Sequence, residues 1–264
     1  MQWFIGINEG CPAWRPYAQM AKVAIHTALL HTSLRPHCLY DGQPNEFTDW
    51  LDQHQVPIIQ GRTFLNDELR LLGQRRNNPE LLAATRGVFL RAELPLLQHQ
   101  GAFDERVLYT DCDVIFRGEV TDLLAPLHPK YFSVAVEAER ARPEEMNTGV
   151  MWMNLPEMFQ CDAAFRDYLR ANINALPAMS WDQGAYRNFY RSAEGALLWE
   201  NLPPELNWKP YWKDFARARI IHFHGPKPFQ RPNIDSHYPE LKYLTGGCYD
   251  EICDLWESLL DEAE

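Results

Sequence analysis

Two acids one residue apart, Asp111 and Asp113, directly follow the apolar run Val107-Leu108-Tyr109-Thr110 and precede Val114-Ile115-Phe116. If the chain stays extended there, side chains at i and i+2 share a face, and both carboxylates converge at the carboxyl end of a buried strand. Two such anions repel unless a cation joins them; hard divalent ions such as Mn²⁺ or Mg²⁺ take oxygen ligands and bridge to a diphosphate. The bland alternative is a pair of solvated turn acids. A second group lies at Ile220-Ile221-His222-Phe223-His224-Gly225-Pro226-Lys227-Pro228, where a strand ends on an imidazole and a Gly-Pro turn presents a lysine. His222 could complete an oxygen-rich metal site with Asp111 and Asp113, with His224 as a competing ligand, and Lys227 could meet a phosphate as a point charge. A satisfied core histidine and a surface cation are the competing readings. In Asn147-Thr148-Gly149-Val150-Met151-Trp152-Met153-Asn154 a polar turn opens an apolar strand, and Asn147 and Asn154 could hydrogen-bond sugar hydroxyls or cap turns. Trp181-Asp182-Gln183, followed by Asn188, is the fourth: Asp182 could cap a helix or sit beside a reacting carbon.

Positioning these groups requires a scaffold, and the first third of the chain supplies its pattern. Trp3–Ile7 reads as a strand buried on both faces. Pro16 can open a helix through Thr32, with Met20, Val23, Ala24, Thr27 and Ala28 as its apolar stripe. His37–Tyr40 reads as a second strand, Phe47–His54 as a helix and Val56–Ile59 as a third strand. Strand–helix alternation predicts an α/β fold with a parallel sheet covered on both faces, whose ligands bind beyond the carboxyl ends of the strands. A helix over 83–98 then leads to the strand Arg106–Thr110. Beyond residue 130 dense aromatics and prolines (Trp199, Pro203, Pro204, Trp208, Pro210, Trp212) suit loops shaping a pocket. The end is helical again, with Ile252, Leu255, Trp256, Leu259 and Leu260 on one face. The pattern predicts a single domain over 1–264: a nucleotide-type half over about 1–116, an elaborated second half over about 117–248 and an acidic amphipathic helix over about 250–262.

Charge and composition exclude several classes. With 25 basic and 36 acidic residues the net charge is −11, which argues against nucleic acid as a partner because affinity for phosphate backbones needs a basic surface. An acidic protein that binds an anionic small molecule needs a local cation. The apolar fraction of 46% fits a globular chain. No P-loop, G-x-G-x-x-G or zinc-ligand spacing occurs, so kinases, dehydrogenases and zinc hydrolases drop out. Cys11, Cys38, Cys112, Cys161, Cys248 and Cys253 form no framework and read as reduced thiols of a cytoplasmic protein. No transmembrane stretch and no signal peptide are expected. Residues 249–264 carry seven acids and no Lys or Arg, so anionic lipid would repel them. Stable membrane attachment is therefore not expected, and the apolar face of that helix should pack on the domain or on a second subunit of a homo-oligomer.

The order of the groups, a buried strand into Asp111-Cys112-Asp113, then Asn147–Asn154, then Asp182-Gln183, then His222–Pro228, resembles glycosyltransferase family 8, which includes glycogenin and the bacterial lipooligosaccharide galactosyltransferases. The likeness runs from residue 3 to about 229 and takes in Phe89-Leu90-Arg91-Ala92-Glu93-Leu94, similar to the family's helix upstream of the paired acids. It implies a GT-A fold, a Rossmann-like mixed, mostly parallel sheet flanked by helices, and retaining transfer of a hexose from a UDP-sugar with Mn²⁺ (or Mg²⁺) to a hydroxyl acceptor such as a glycan. By the same resemblance Asp111, Asp113 and His222 would ligate the metal and Lys227 would bind the diphosphate. Ile7, Asn8, Arg91 and Cys112 would line the donor, Asn147 and Asp182 would hold sugar hydroxyls, and Gln183 would lie against the anomeric carbon. The last stretch departs from the family's H-F-x-G-x-x-K-P-W by being one residue short and ending in Phe229.

Two other functions compete. A haloacid-dehalogenase-type phosphatase would use Asp111 as nucleophile, but its paired acids normally open the fold, and here 110 residues precede them. A non-catalytic nucleotide-sugar-binding protein would keep the fold without the reaction.

Overall fold

The computed structural model describes residues 1–78, 80–101, 103–137 and 144–264. Its strands, in chain order, are β1 (Gln2–Asn8), β2 (Arg35–Asp41), β3 (Ile58–Gln60), β4 (Arg106–Thr110), β5 (Val114–Phe116), β6 (Phe132–Val136), β7 (Met146–Asn154), β8 (Glu200–Asn201) and β9 (Ile220–His222). Seven form one sheet in the order β3-β2-β1-β4-β7-β6-β8, and β5 and β9 form a separate antiparallel pair. β3, β2, β1 and β4 are parallel neighbours, whereas β7 runs antiparallel to both β4 and β6. This is the mixed, mostly parallel α/β sheet expected.

β1 is apolar from Trp3 to Ile7 because both its faces are covered. Trp3, Ile5 and Ile7 pack on the side of the opening helix Trp14–His31, while Phe4 joins Leu39, Val107 and Tyr109 on the other. That helix starts two residues before Pro16, which sits in its first turn, where a missing N–H costs nothing. The next helix, Glu46–Gln53, is fixed by a capping box between Asn45 and Thr48.

Three sequence expectations need correction. The single helix over 83–98 is three pieces: Leu81–Thr85, a 3₁₀ segment Gly87–Glu93 and Leu94–His99. Pro95 has no N–H to return to the Arg91 carbonyl, so Leu94 closes a tighter turn onto it instead. The third strand is Ile58–Gln60 rather than Val56–Ile59. The chain past 130 is not mainly loop: β6, the fully buried nine-residue β7 and the helices Leu155–Gln160, Asp162–Ala171 and Trp181–Phe189 are regular. Irregular chain dominates after about residue 190.

The terminal helix Tyr249–Ala263 buries Ile252, Trp256 and Leu259 against Met20 and Val23 of the opening helix and against Ile115 and Ile221 of β5 and β9. Trp50 Nε1 donates to the Ala263 carbonyl at 2.9 Å. The apolar face therefore packs on its own domain. Among the described residues no helix is long and apolar enough to cross a membrane. All six cysteines are free.

Candidate active site

Asp111-Cys112-Asp113 is not extended. It is the bend that carries the chain from β4 in the large sheet to β5 in the small one, so the carboxylates converge for a different reason than i, i+2 alternation. The Asp111 N–H donates to the Gly149 carbonyl at 2.9 Å, and the Asp113 carbonyl accepts from the Phe223 N–H at 2.9 Å. The register of β5 on β9 sets Val114 opposite His222, which brings the imidazole beside the bend. His222 Nε2 lies 3.4 Å from Asp113 Oδ1 and 3.7 Å from Asp111 Oδ2, and one ligand atom from each of the three falls within 4.8 Å of the others. Gly149 of β7 passes beneath the ring, with no room there for a Cβ. His224 turns elsewhere, with Nδ1 2.9 Å from the Tyr211 hydroxyl and Nε2 3.8 Å from Glu137 Oε1.

The electrostatics suit a divalent cation. Burial pushes the His222 imidazole down to about 4 despite the neighbouring Asp113, so the ring is neutral near pH 7. Asp113 resists burial and stays well below the usual carboxylate range because Lys227 and His222 face it; Lys227 Nζ sits 2.5 Å from its Oδ2. Its Oδ1 is buried and accepts no hydrogen bond. Two carboxylates, one with an orphaned oxygen, and one neutral ring nitrogen form an O, O, N set that fits Mn²⁺ or Mg²⁺.

Beside this cluster Arg91, carried inward by the 3₁₀ segment, is 3% exposed. Its guanidinium meets Asp111 Oδ1 at 2.6 Å and Asp182 Oδ2 at 3.1 Å, donates to the Thr148 carbonyl and stacks on Tyr109 with 4.5 Å to the ring centroid. Burial raises the carboxyls of Asp111 and Asp182, and Arg91 pulls both back toward ionisation. Asp182 is thus an ion-pair partner, not a helix cap. Ser180 and Trp181 enter its helix with φ of 62° and 55°, in the left-handed region. Gly184 packs against the Met179 carbonyl where any Cβ would collide. This tight entry turns Asp182 and Gln183 toward β7. Gln183 Oε1 accepts from Asn147 Nδ2 at 3.0 Å and from the Thr148 N–H at 3.3 Å, and its Nε2 donates to Glu137 Oε1 at 2.9 Å.

Ile7, Asn8, Arg91, Asp111, Cys112, Asp113, Asn147, Asp182, Gln183, His222 and Lys227 all line one cleft of about 530 Å³ beyond the carboxyl ends of β1 and β4. At its rim Asn8 donates to the Ala83 carbonyl at 2.8 Å and accepts from Arg86 at 3.2 Å. Two candidates fall outside. Asn154, at the far end of β7, donates to the carbonyls of Pro129 and Lys130, and Asn188 is exposed, against the Met179 sulfur. Sequence reasoning missed Glu137, which also lines the cleft, and Asn207 and Lys209 just behind it. Lys209 is wholly buried, and burial drives its pKa well below the ordinary lysine value. Asn207 and Lys209 stand in a Trp- and Pro-rich stretch that reads as surface loop, and no local pattern marks them.

No family model and no curated protein matches the sequence. Solved structures do resemble the fold. The galactosyltransferase LgtC, in complex with donor and acceptor sugar analogs, is similar at TM-score 0.60 and 16% identity, over 92% of this chain and 95% of that one. The glycosyltransferase GlyE of Streptococcus pneumoniae is similar at TM-score 0.60 and 16% identity, over 99% of this chain and 63% of its own. Mouse xyloside xylosyltransferase 1 follows at TM-score 0.53 and 15% identity, over 84% and 96%. The fold is the GT-A fold of these glycosyltransferases.

Proposed function

We propose that the protein is a metal-dependent, retaining glycosyltransferase that moves a hexose from a nucleoside-diphosphate sugar, a UDP-hexose, to a hydroxyl acceptor of glycan type. The observation that carries this reading is the meeting of Asp111, Asp113 and His222, with the orphaned Asp113 oxygen between them, at the mouth of a cleft shared with Arg91, Asn147, Asp182 and Gln183. The fold likeness to LgtC and to the xylosyltransferase supports it.

A leaving nucleoside diphosphate needs its growing charge neutralised, and a divalent ion held by Asp111, Asp113 and His222 supplies that Lewis-acid stabilisation, worth several kcal/mol. Lys227 contributes from the other side. Its ammonium has three donors; two go to Asp113 Oδ2 and the Phe223 carbonyl, both at 2.5 Å, and the third is left for a phosphate oxygen. Arg91 opposes the effect of burial on Asp111 and Asp182 and holds both at fixed positions. Asp182 and Asn147 hold sugar hydroxyls. The Gln183 carbonyl oxygen is turned into the protein by Asn147 and the Thr148 N–H, so Gln183 offers the sugar an amide rather than a nucleophilic oxygen. That arrangement supports acceptor attack on the leaving-group side. Asp111 itself is oriented by Arg91 at Oδ1 and turns Oδ2 to the cluster with Asp113 and His222, a setting that suits a metal ligand better than a phosphatase nucleophile. We place the enzyme in the cytoplasm, without stable membrane attachment.

Incubation with UDP-glucose or UDP-galactose and Mn²⁺ tests the reading. UDP release that disappears with a chelator is the expected result. Absence of release with UDP-hexoses, alongside hydrolysis of phosphate monoesters, would overturn it.

A further inference from the structure

Lys209 is wholly buried, yet among the described residues no carboxylate lies within ion-pair distance of it. Taking an ammonium out of water without a counter-charge is costly, so its place calls for an explanation. Its Nζ donates to two amide oxygens, Asn147 Oδ1 at 3.1 Å and Asn207 Oδ1. An ammonium has three N–H donors and a neutral amine has two, so either state serves both oxygens.

The two amides differ in what else orients them. Asn147 Oδ1 also accepts from the Gly149 backbone N–H at 3.2 Å, which cannot turn, so its orientation stands without Lys209. Among the described residues Asn207 Oδ1 takes no backbone donor; Lys209 and His222 Nδ1 face it, the latter at 3.1 Å. Asn207 Nδ2 donates in turn to Asn147 Oδ1 at 2.9 Å. With its Nδ2 held by Asn147 and its Oδ1 by Lys209, Asn207 must turn that oxygen to His222. An amide oxygen has no proton to give, so this hydrogen bond exists only if Nδ1 carries the hydrogen. A neutral imidazole has one N–H, which leaves Nε2 bare toward Asp111 and Asp113.

We propose that Asn207, oriented by Asn147 at its Nδ2 and by Lys209 at its Oδ1, is a positioning residue that fixes His222 as its Nδ1–H tautomer and keeps the Nε2 lone pair turned to Asp111 and Asp113. This rests on the reading of that cluster as a metal site. Facing two carboxylates, a metal-free imidazole would otherwise carry its hydrogen on Nε2, where it blocks a cation. Without an acceptor at position 207 nothing holds the hydrogen on Nδ1, and that state is permitted.

Histidine ¹⁵N labelling separates protonated from bare ring nitrogens with no metal or donor present, and comparison with His222→Gln assigns the signals. The native chain is expected to show Nδ1–H and a bare Nε2 at His222. Asn207→Leu, which removes that acceptor, is expected to give a mixture or the reverse, with Mn²⁺ affinity by calorimetry lowered about 10–100-fold, the effect typical of losing a ligand's outer partner. Asn207→Asp, which keeps an oxygen beside Nδ1, is expected to retain the native spectrum. A native spectrum with the hydrogen on Nε2 overturns the proposal whether or not any variant folds, as does an unchanged His222 signal in folded Asn207→Leu. Because the spectrum is read without metal or sugar nucleotide, its outcome is separate from that of the UDP-release assay.

Discussion

Gly149 and the imidazole of His222 are in direct face-to-backbone contact, so that a Cβ on residue 149 would overlap the ring. Gly149 lies in ordinary extended backbone, so an alanine there meets no conformational penalty and its whole effect falls on the ring. Gly149→Ala is expected to displace His222, cost about 1–3 kcal/mol as overpacking does, and weaken Mn²⁺ binding. Calorimetric titration checks this, and native affinity in the variant would refute it.

Asp113→Asn removes one proposed metal ligand and the counter-charge of Lys227 together. Mn²⁺-dependent UDP binding should disappear, and stability should fall by about 3–5 kcal/mol, as when one partner of a buried ion pair is deleted. Denaturant unfolding and calorimetry measure the two effects separately; unchanged UDP affinity with Mn²⁺ would contradict the site.

His222→Ala and His224→Ala should behave differently although the two rings are neighbours. The first is expected to lose Mn²⁺ affinity; the second is expected to retain it and to free Tyr211 and Glu137. The reverse outcome would reassign the ligand to His224.

Arg91 serves Asp111, Asp182 and the Thr148 carbonyl at once, which the planar fork of a guanidinium allows and a single ammonium does not. Arg91→Lys should therefore cost about 3 kcal/mol, because a buried carboxylate loses its partner, and slow UDP release. A loss within the ~0.5 kcal/mol typical of surface changes would show that the fork is not needed.

Glu119 accepts hydrogen bonds from the backbone N–H groups of Val120, Thr121 and Ser33 at 2.8, 2.9 and 2.8 Å. Burial opposes its ionisation, but those bonds, led by Thr121, lower its carboxyl from 4.5 to about 2. A depressed carboxyl stabilises the fold above its unfolded value and loses that contribution as pH falls. The native chain should lose stability from pH 4.5 down through about 2, and Glu119→Gln should be less stable at neutral pH with a flatter acid limb. Melting temperature followed against pH provides the comparison.

The sequence makes β1, β2 and β4 legible because strands buried on both faces are short uninterrupted apolar runs. It also brings all eleven chosen site residues to one cleft, since the groups lie at strand ends and tight turns whose chemistry is local. The break in 83–98 escaped because hydrophobic spacing carries through Pro95, while the missing N–H acts only on the hydrogen-bond ladder. Asp111 and Asp113 were read correctly as a convergent pair on the wrong geometry, a bend between sheets instead of an extended strand. Lys209 was not legible at all. Its burial depends on Asn147, 62 residues away in sequence, and nothing in Asn207-Trp208-Lys209-Pro210 distinguishes it from a surface cation.

The packing of Tyr249–Ala263 makes the last turns of the chain a mechanical support of the chemistry. β5 and β9 pair over three residues each, too few to hold a hairpin alone, and Ile115, Ile221 and Phe223, which alternate with or adjoin Asp113, His222 and His224, rest on Ile252, Trp256 and Tyr249. The Tyr249 hydroxyl also donates to the Lys227 carbonyl at 3.1 Å. A substitution such as Trp256→Ala, remote from any substrate, would loosen the small sheet first. Its signature would be that of a lesion in the Asp111, Asp113 and His222 cluster, with faster amide exchange at β5 and β9 while the large sheet stays protected.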